Sequence, residues 1–133
     1  NRVSFFEKAV WYKKGVLNLD FGFRDGKEWS RAVTEGGSQV NTVQVESVTI
    51  PDILKENDLD RVDVLKMDIE GAEKQLFQEG NDLSYLEKTR LIAIEIHDEF
   101  LIRDHINSIL RKYNFVLFQS GELTIGVNLG NLN

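Results

Sequence analysis

The chain of 133 residues sets 16 Lys and Arg against 22 Asp and Glu, a net charge of −6, with 41% hydrophobic residues and no Cys. That length supports one core and one domain, and the missing Cys excludes disulfides and thiolate metal sites and fits a cytoplasmic protein. No basic cluster exceeds the "WYKKG" of residues 11–15, which argues against nucleic acid as a partner. No apolar run reaches the roughly 18 residues of a membrane span, so no membrane partner is expected.

The start, "NRVSFFEKAV", has neither an initiator Met nor a signal-peptide pattern and opens in strand-like sequence, so the chain reads as a piece of something longer. "RVSFFEKAVW" is a short strand, and "GVLNLDFGF" alternates Leu17, Leu19, Phe21 and Phe23 against polar residues, the pattern of a half-buried strand. The polar "RDGKEWSRAVTEGGSQ" is expected to be a long loop, of the kind that is usually functional or disordered. "NTVQVESVTI" is strand-like, but its apolar parity shifts between Val45 and Val48, which predicts a bend or bulge. "TIPD" has the form of a capping box with Pro in the first turn, opening a short helix over "PDILKEN".

"RVDVLKMD" reads as a strand ending at Asp68, followed by a helix from about residue 71 to 78 that Gly80 stops. "TRLIAIEIH" is nearly continuous apolar sequence and predicts a strand buried on both faces. A helix over about 98–112 aligns Ile102, Ile106, Ile109 and Tyr113 on one side. "NFVLFQSGELTIGVNL" reads as two strands around a Ser120–Gly121 turn. The alternation of helix and strand from Thr49 onward implies an α/β fold with parallel central strands and a closing antiparallel hairpin. Functional residues in such sheets gather at the carboxyl ends of the strands.

Asp68 stands at one such end, and Glu95 and His97 at the next. Side chains two apart share a strand face, so Lys66 pairs with Asp68 and Glu95 with His97. A carboxylate inside "LIAIEIH" is costly to bury unless paired or solvated. The acids around Gly71 also have a plain structural reading: Asp68 caps the helix, while Glu70 and Glu73 favour its positive N-terminus. That account fits Glu73 best, and Lys66 then simply neutralises Asp68. It leaves Glu95 and His97 at the matching level unexplained.

Taken together, "VDVLKMDIEGAEKQLF", the later "LIAIEIH", the preceding "VESVTIPDIL" and the opening "EKAVWYKKGVLNL" resemble the FkbM-type family of S-adenosylmethionine-dependent methyltransferases. The resemblance covers nearly the whole chain. It implies a Rossmann-like class I methyltransferase sheet of strand order 3-2-1-4-5-7-6, present here in part. "SFFEKAVW" would be strand 3, "VDVLKMD" strand 4, "LIAIEIH" strand 5, and the last two segments strands 6 and 7. Residues 1–133 would then form a single methyltransferase-like domain, the carboxyl-terminal part of a longer catalytic domain. The family's first strand and its glycine-rich cofactor loop have no counterpart, because the "DG" at 25–26 and "GG" at 36–37 read as turns. S-adenosylmethionine is therefore the implied cofactor, with no binding residues assigned.

The resemblance further implies that Asp68 and Glu70 line the mouth where methyl donor and a small-molecule or sugar-type acceptor meet, with Gly71 letting the backbone pass close. His97 is the candidate base, since histidine exchanges protons near neutral pH, and Asp68 or Glu95 would orient it or the acceptor hydroxyl. Trp29 either walls the substrate pocket or is a plain loop aromatic. Two other readings stand beside this one. Asp68, Glu70, Glu95 and His97 offer a hard ligand set for Mg²⁺, Mn²⁺ or Fe²⁺, ranked below a metal-free site. Alternatively, the crevice belongs to a non-catalytic interaction module. Finally, strand 4 lacks its expected neighbours, and its bare apolar edge is expected to be covered by a longer parent chain, by the strands of residues 3–23, or, in an isolated fragment, by self-association with a second copy.

Overall fold

The structure, a computed structural model, describes residues 3–20, 32–34, 42–69, 71–97 and 101–131. The strands are β1 (Ala9–Val10), β2 (Gly15–Asp20), β3 (Ala32–Thr34), β4 (Thr42–Val48), β5 (Val62–Met67), β6 (Thr89–Glu95), β7 (Phe115–Ser120) and β8 (Leu123–Asn128). The helices are α1 (Ile50–Glu56), α2 (Glu73–Leu76), α3 (Tyr85–Lys88) and α4 (Arg103–Lys112). A 3₁₀ turn follows at Leu129–Asn131. No helix among the described residues is long and apolar enough to cross a membrane.

The strands form two sheets, ordered β1-β4-β2-β3 and β5-β6-β8-β7. In the second, β5 and β6 run parallel, with Val64 opposite Leu91 and Met67 opposite Ile94. β8 is antiparallel to both β6 and β7, so the closing hairpin inserts its second strand next to β6. Numbered as the resemblance numbers them, these four strands stand in the order 4-5-7-6. The hairpin turns through Gly121, whose positive φ of 59° suits a residue without Cβ.

Several local expectations need correction. The opening strand shrinks to Ala9–Val10, paired parallel to the end of β4. The span read as a loop contains β3, which pairs with β2 through Asn18 and Thr34. No bulge interrupts β4, whose register against β2 runs unbroken from Gly15–Ser47 to Asp20–Thr42. The parity shift arises because Ser47 and Val48 are both buried, on opposite faces of the strand end. Helix α2 is shorter than the sequence implies, α4 begins at Arg103, and α3 is an addition. Strand β6 is fully buried on the face of Ile92 and Ile94 but only half-buried at Leu91, Ala93 and Glu95.

The main core joins that buried face to α1, α2, α3 and α4 through Leu54, Phe77, Leu86, Ile92, Ile106 and Leu110. Helix α1 starts where expected: Thr49 is the N-cap, and the Asp52 amide donates to its Oγ1 at 3.1 Å. The Ile102, Ile106 and Ile109 stripe of the sequence is the buried side of α4. A smaller cluster of Trp11, Leu17 and Ala72, with Ile69 against it, packs the first sheet onto the turn after β5.

Candidate functional site

The turn after β5 is shaped by two requirements. Gly71 has φ 91°, a conformation that L side chains rarely adopt, so the reversal needs glycine there. Ala72 is buried against Trp11 and Leu17, which holds the turn down onto the first sheet. The reversal brings the Glu73 side chain back over the turn, where its Oε1 accepts from the Ile69 amide at 3.3 Å. The same oxygen lies 3.2 Å from His97 Nδ1.

Glu73 has no exposed surface, and the His97 side chain retains 13%. Helix-end preference places Glu73 at a helix N-terminus, and it does occupy the first turn of α2. Its burial and its contact with His97 across 24 positions of sequence are tertiary facts that such a preference does not contain. The recoverable signal is the glutamate's fixed place behind Gly71, beside a histidine ending the next strand. Glu73 Oε2 is buried and has no hydrogen-bond partner among the described residues.

At the carboxyl ends of the paired strands β5 and β6, the structure brings together Asp68, Glu95 and His97. One ligand-type atom from each lies within 4.8 Å of the others. Parallel pairing explains this, because Lys66 lies opposite Ala93 and the next same-face residues are Asp68 and Glu95. Asp68 is exposed, Glu95 and His97 half-buried. Lys66 Nζ reaches Asp68 Oδ2 at 3.0 Å, an exposed pair worth at most about 1 kcal/mol. Glu70 and Trp29 lie outside the described residues.

Arg103, at the start of α4, carries no sequence signal that would single it out. Its Nη2 donates to the Ile96 carbonyl at 3.1 Å and its Nη1 to Thr124 Oγ1 at 2.9 Å, tying helix and hairpin to the backbone between Glu95 and His97. The other histidine serves elsewhere: His105 Nε2 lies 2.7 Å from the Phe77 carbonyl.

Chemically, the cluster offers two carboxylates and one imidazole at the carboxyl ends of β5 and β6, with a further buried carboxylate behind the imidazole. It can orient a hydroxyl, accept its proton, or hold a hard cation. A family model described as methyltransferase FkbM domain matches residues 2–117. No curated protein and no solved structure matches the chain.

Proposed function

The chain belongs to the FkbM methyltransferase domain family, and from that premise we propose that it serves S-adenosylmethionine-dependent methyl transfer to an oxygen of a small-molecule or sugar-type acceptor. The observation that carries this reading is the convergence of Asp68, Glu95 and His97 at the carboxyl ends of two paired parallel strands. The 4-5-7-6 order of the second sheet supports a Rossmann-like class I arrangement of these strands.

S-adenosylmethionine would supply an electrophilic methyl group. The described residues contain no glycine-rich turn between a buried strand and a helix, since Gly71 stands alone after β5. They do not form a cradle for that cofactor. What these residues do is handle the acceptor. His97 takes the proton from the acceptor oxygen as that oxygen becomes a nucleophile, and Asp68 and Glu95 hold the hydroxyl in line. Holding the acceptor beside a histidine that is itself backed by a buried carboxylate favours one orientation of attack.

The test is turnover of a full-length version of the protein with methyl donor and a panel of hydroxylated acceptors, read as release of S-adenosylhomocysteine. His97→Ala and Asp68→Ala should each slow it about 10²-fold or more while leaving the protein folded. Near-normal turnover in both variants would return these residues to structural roles. Absence of S-adenosylhomocysteine binding by calorimetry would favour a non-catalytic interaction module.

A second reading is favoured by the 4.8 Å spacing of the three ligand-type atoms. A divalent cation held by Asp68, Glu95 and His97 would polarise the acceptor oxygen. Thermal stabilisation by Mg²⁺ or Mn²⁺, lost in Asp68→Asn, would select it.

A further inference from the structure

We infer that Glu73 is a positioning residue that fixes the tautomer and orientation of His97, an inference whose kinetic consequence rests on the methyl-transfer reading above. An ionised carboxylate is an acceptor only, so with Glu73 ionised the contact between its Oε1 and His97 Nδ1 at 3.2 Å places the ring proton on Nδ1. The basic lone pair then resides on Nε2. A buried acceptor behind one ring nitrogen sets which nitrogen does the chemistry at the other.

Three features make Glu73 suited to this and poorly suited to a purely local role. It is wholly buried, where an ionised carboxylate is costly without a charged or donating partner. Its placement is over-determined, because the Ile69 amide donates to the oxygen that faces His97. Its helix spans only Glu73–Leu76, too short for a helix-end interaction to repay the burial of a carboxylate. Gly71 and the Trp11–Ala72 contact therefore shape a turn whose consequence is the delivery of one buried carboxylate to one imidazole.

The chain has two histidines, which makes the test direct. His105 faces a carbonyl through Nε2, so its proton belongs on Nε2 and it serves as an internal reference of opposite tautomer. In ¹⁵N-histidine-labelled full-length chain, two-bond ¹H–¹⁵N correlation above neutral pH should show His97 protonated at Nδ1 and His105 at Nε2. Assignment comes from His105→Gln. Glu73→Leu, close in volume, should release His97 to a mixture containing the Nε2-protonated form, while Glu73→Gln, which keeps an acceptor, should restore the Nδ1 form. With an acceptor substrate in hand, Glu73→Leu should lower kcat about 10- to 100-fold, leave the acceptor KM nearly unchanged, and be rescued in large part by Glu73→Gln. A wild-type spectrum with His97 protonated at Nε2 overturns the inference even if neither variant folds, as does an unchanged tautomer in folded Glu73→Leu. The expected tautomers in a protein without methyl transfer would overturn the functional reading and leave the ring's orientation by Glu73 standing.

Discussion

The guanidinium of Arg103 donates to the carbonyl of Ile96 at 3.1 Å, joining the first turn of α4 to the backbone between Glu95 and His97. The same side chain donates to Thr124 of β8 at 2.9 Å, so one residue clamps the end of β6 from two sides. The two bonds leave from different nitrogens of one planar fork, a spread that the single compact ammonium of lysine does not reproduce. Arg103→Lys is therefore expected to behave nearly as badly as Arg103→Ala. Both should lower turnover by about tenfold, as a small misplacement of a proton-handling group does. Circular dichroism should show both folded. Full activity in Arg103→Ala would show that the clamp is incidental.

Much of this arrangement is legible in the residue pattern. The strict alternation of β2, the apolar run of β6, and the isoleucine stripe of α4 each carry their own periodicity, and each element lies close to where that periodicity puts it. The matching level of Asp68 and Glu95 follows from parallel pairing alone. What the pattern hides depends on contacts distant in sequence. Glu73 looks like an ordinary first-turn acid until its burial beside His97 is seen. Arg103 has no local signal at all. Likewise, Ser47 and Val48 mimic a bulge because both are buried at one strand end, a fact set by packing rather than by the chain's alternation. The division into two sheets is equally invisible, since strand propensity does not name a strand's neighbour.

Gly126 illustrates a packing constraint that can be tested without knowing the acceptor. A Cβ built there would lie 2.8 Å from Ile92 Cγ2 and 3.0 Å from both Leu117 Cδ2 and Phe115 Cδ1. Gly126 pairs with Ile92 across the β6–β8 ladder, so neither backbone can step aside without disturbing the strand that carries Glu95. The branched Ile92 has little rotamer freedom. Gly126→Ala should destabilise the protein by about 1–3 kcal/mol, measured by urea unfolding with unchanged m-value. A stability equal to wild type would show that the second sheet is looser than its close contacts imply.

Acid stability should depend on Asp52. A hydrogen bond from Thr49, together with Lys14 Nζ at 3.0 Å, holds its carboxyl below the ordinary carboxylate range. A depressed folded value means that the folded state favours the ionised form. The resulting stability is present in full above the unfolded carboxylate's pKa and is lost as pH falls through the lower folded value. Asp52→Asn should therefore lower the melting temperature near neutral pH and flatten its decline over that acid window. Raised salt should reproduce only the Lys14 share, because that pair is exposed and the Thr49 hydrogen bond is not ionic. An acid limb identical in wild type and Asp52→Asn would remove Asp52 from the account.

The last prediction concerns the free edge of β5. Among the described residues β5 pairs only with β6, and the first sheet does not extend onto it. Beside it runs a groove of about 420 Å³ lined by Val10, Ile53, Leu59, Val64 and Leu65, and Val64 is 62% exposed. Unpaired backbone groups next to apolar side chains are a template for strand addition. A second copy of the chain is the simplest occupant at high concentration. A two-fold antiparallel pairing centred on Val64 would set valine against valine and Val62 against Lys66. Centring on Asp63 would oppose two like charges and is disfavoured. Sedimentation at micromolar concentration should therefore show dimers or larger species, and Val64→Lys should shift them toward monomer without unfolding the second sheet, since a lysine on an edge strand opposes pairing. Amides of residues 62–68 should exchange more slowly in the associated species than in the Val64→Lys monomer. A well-folded wild-type monomer, with those amides exchanging quickly, would rule out self-association through this edge.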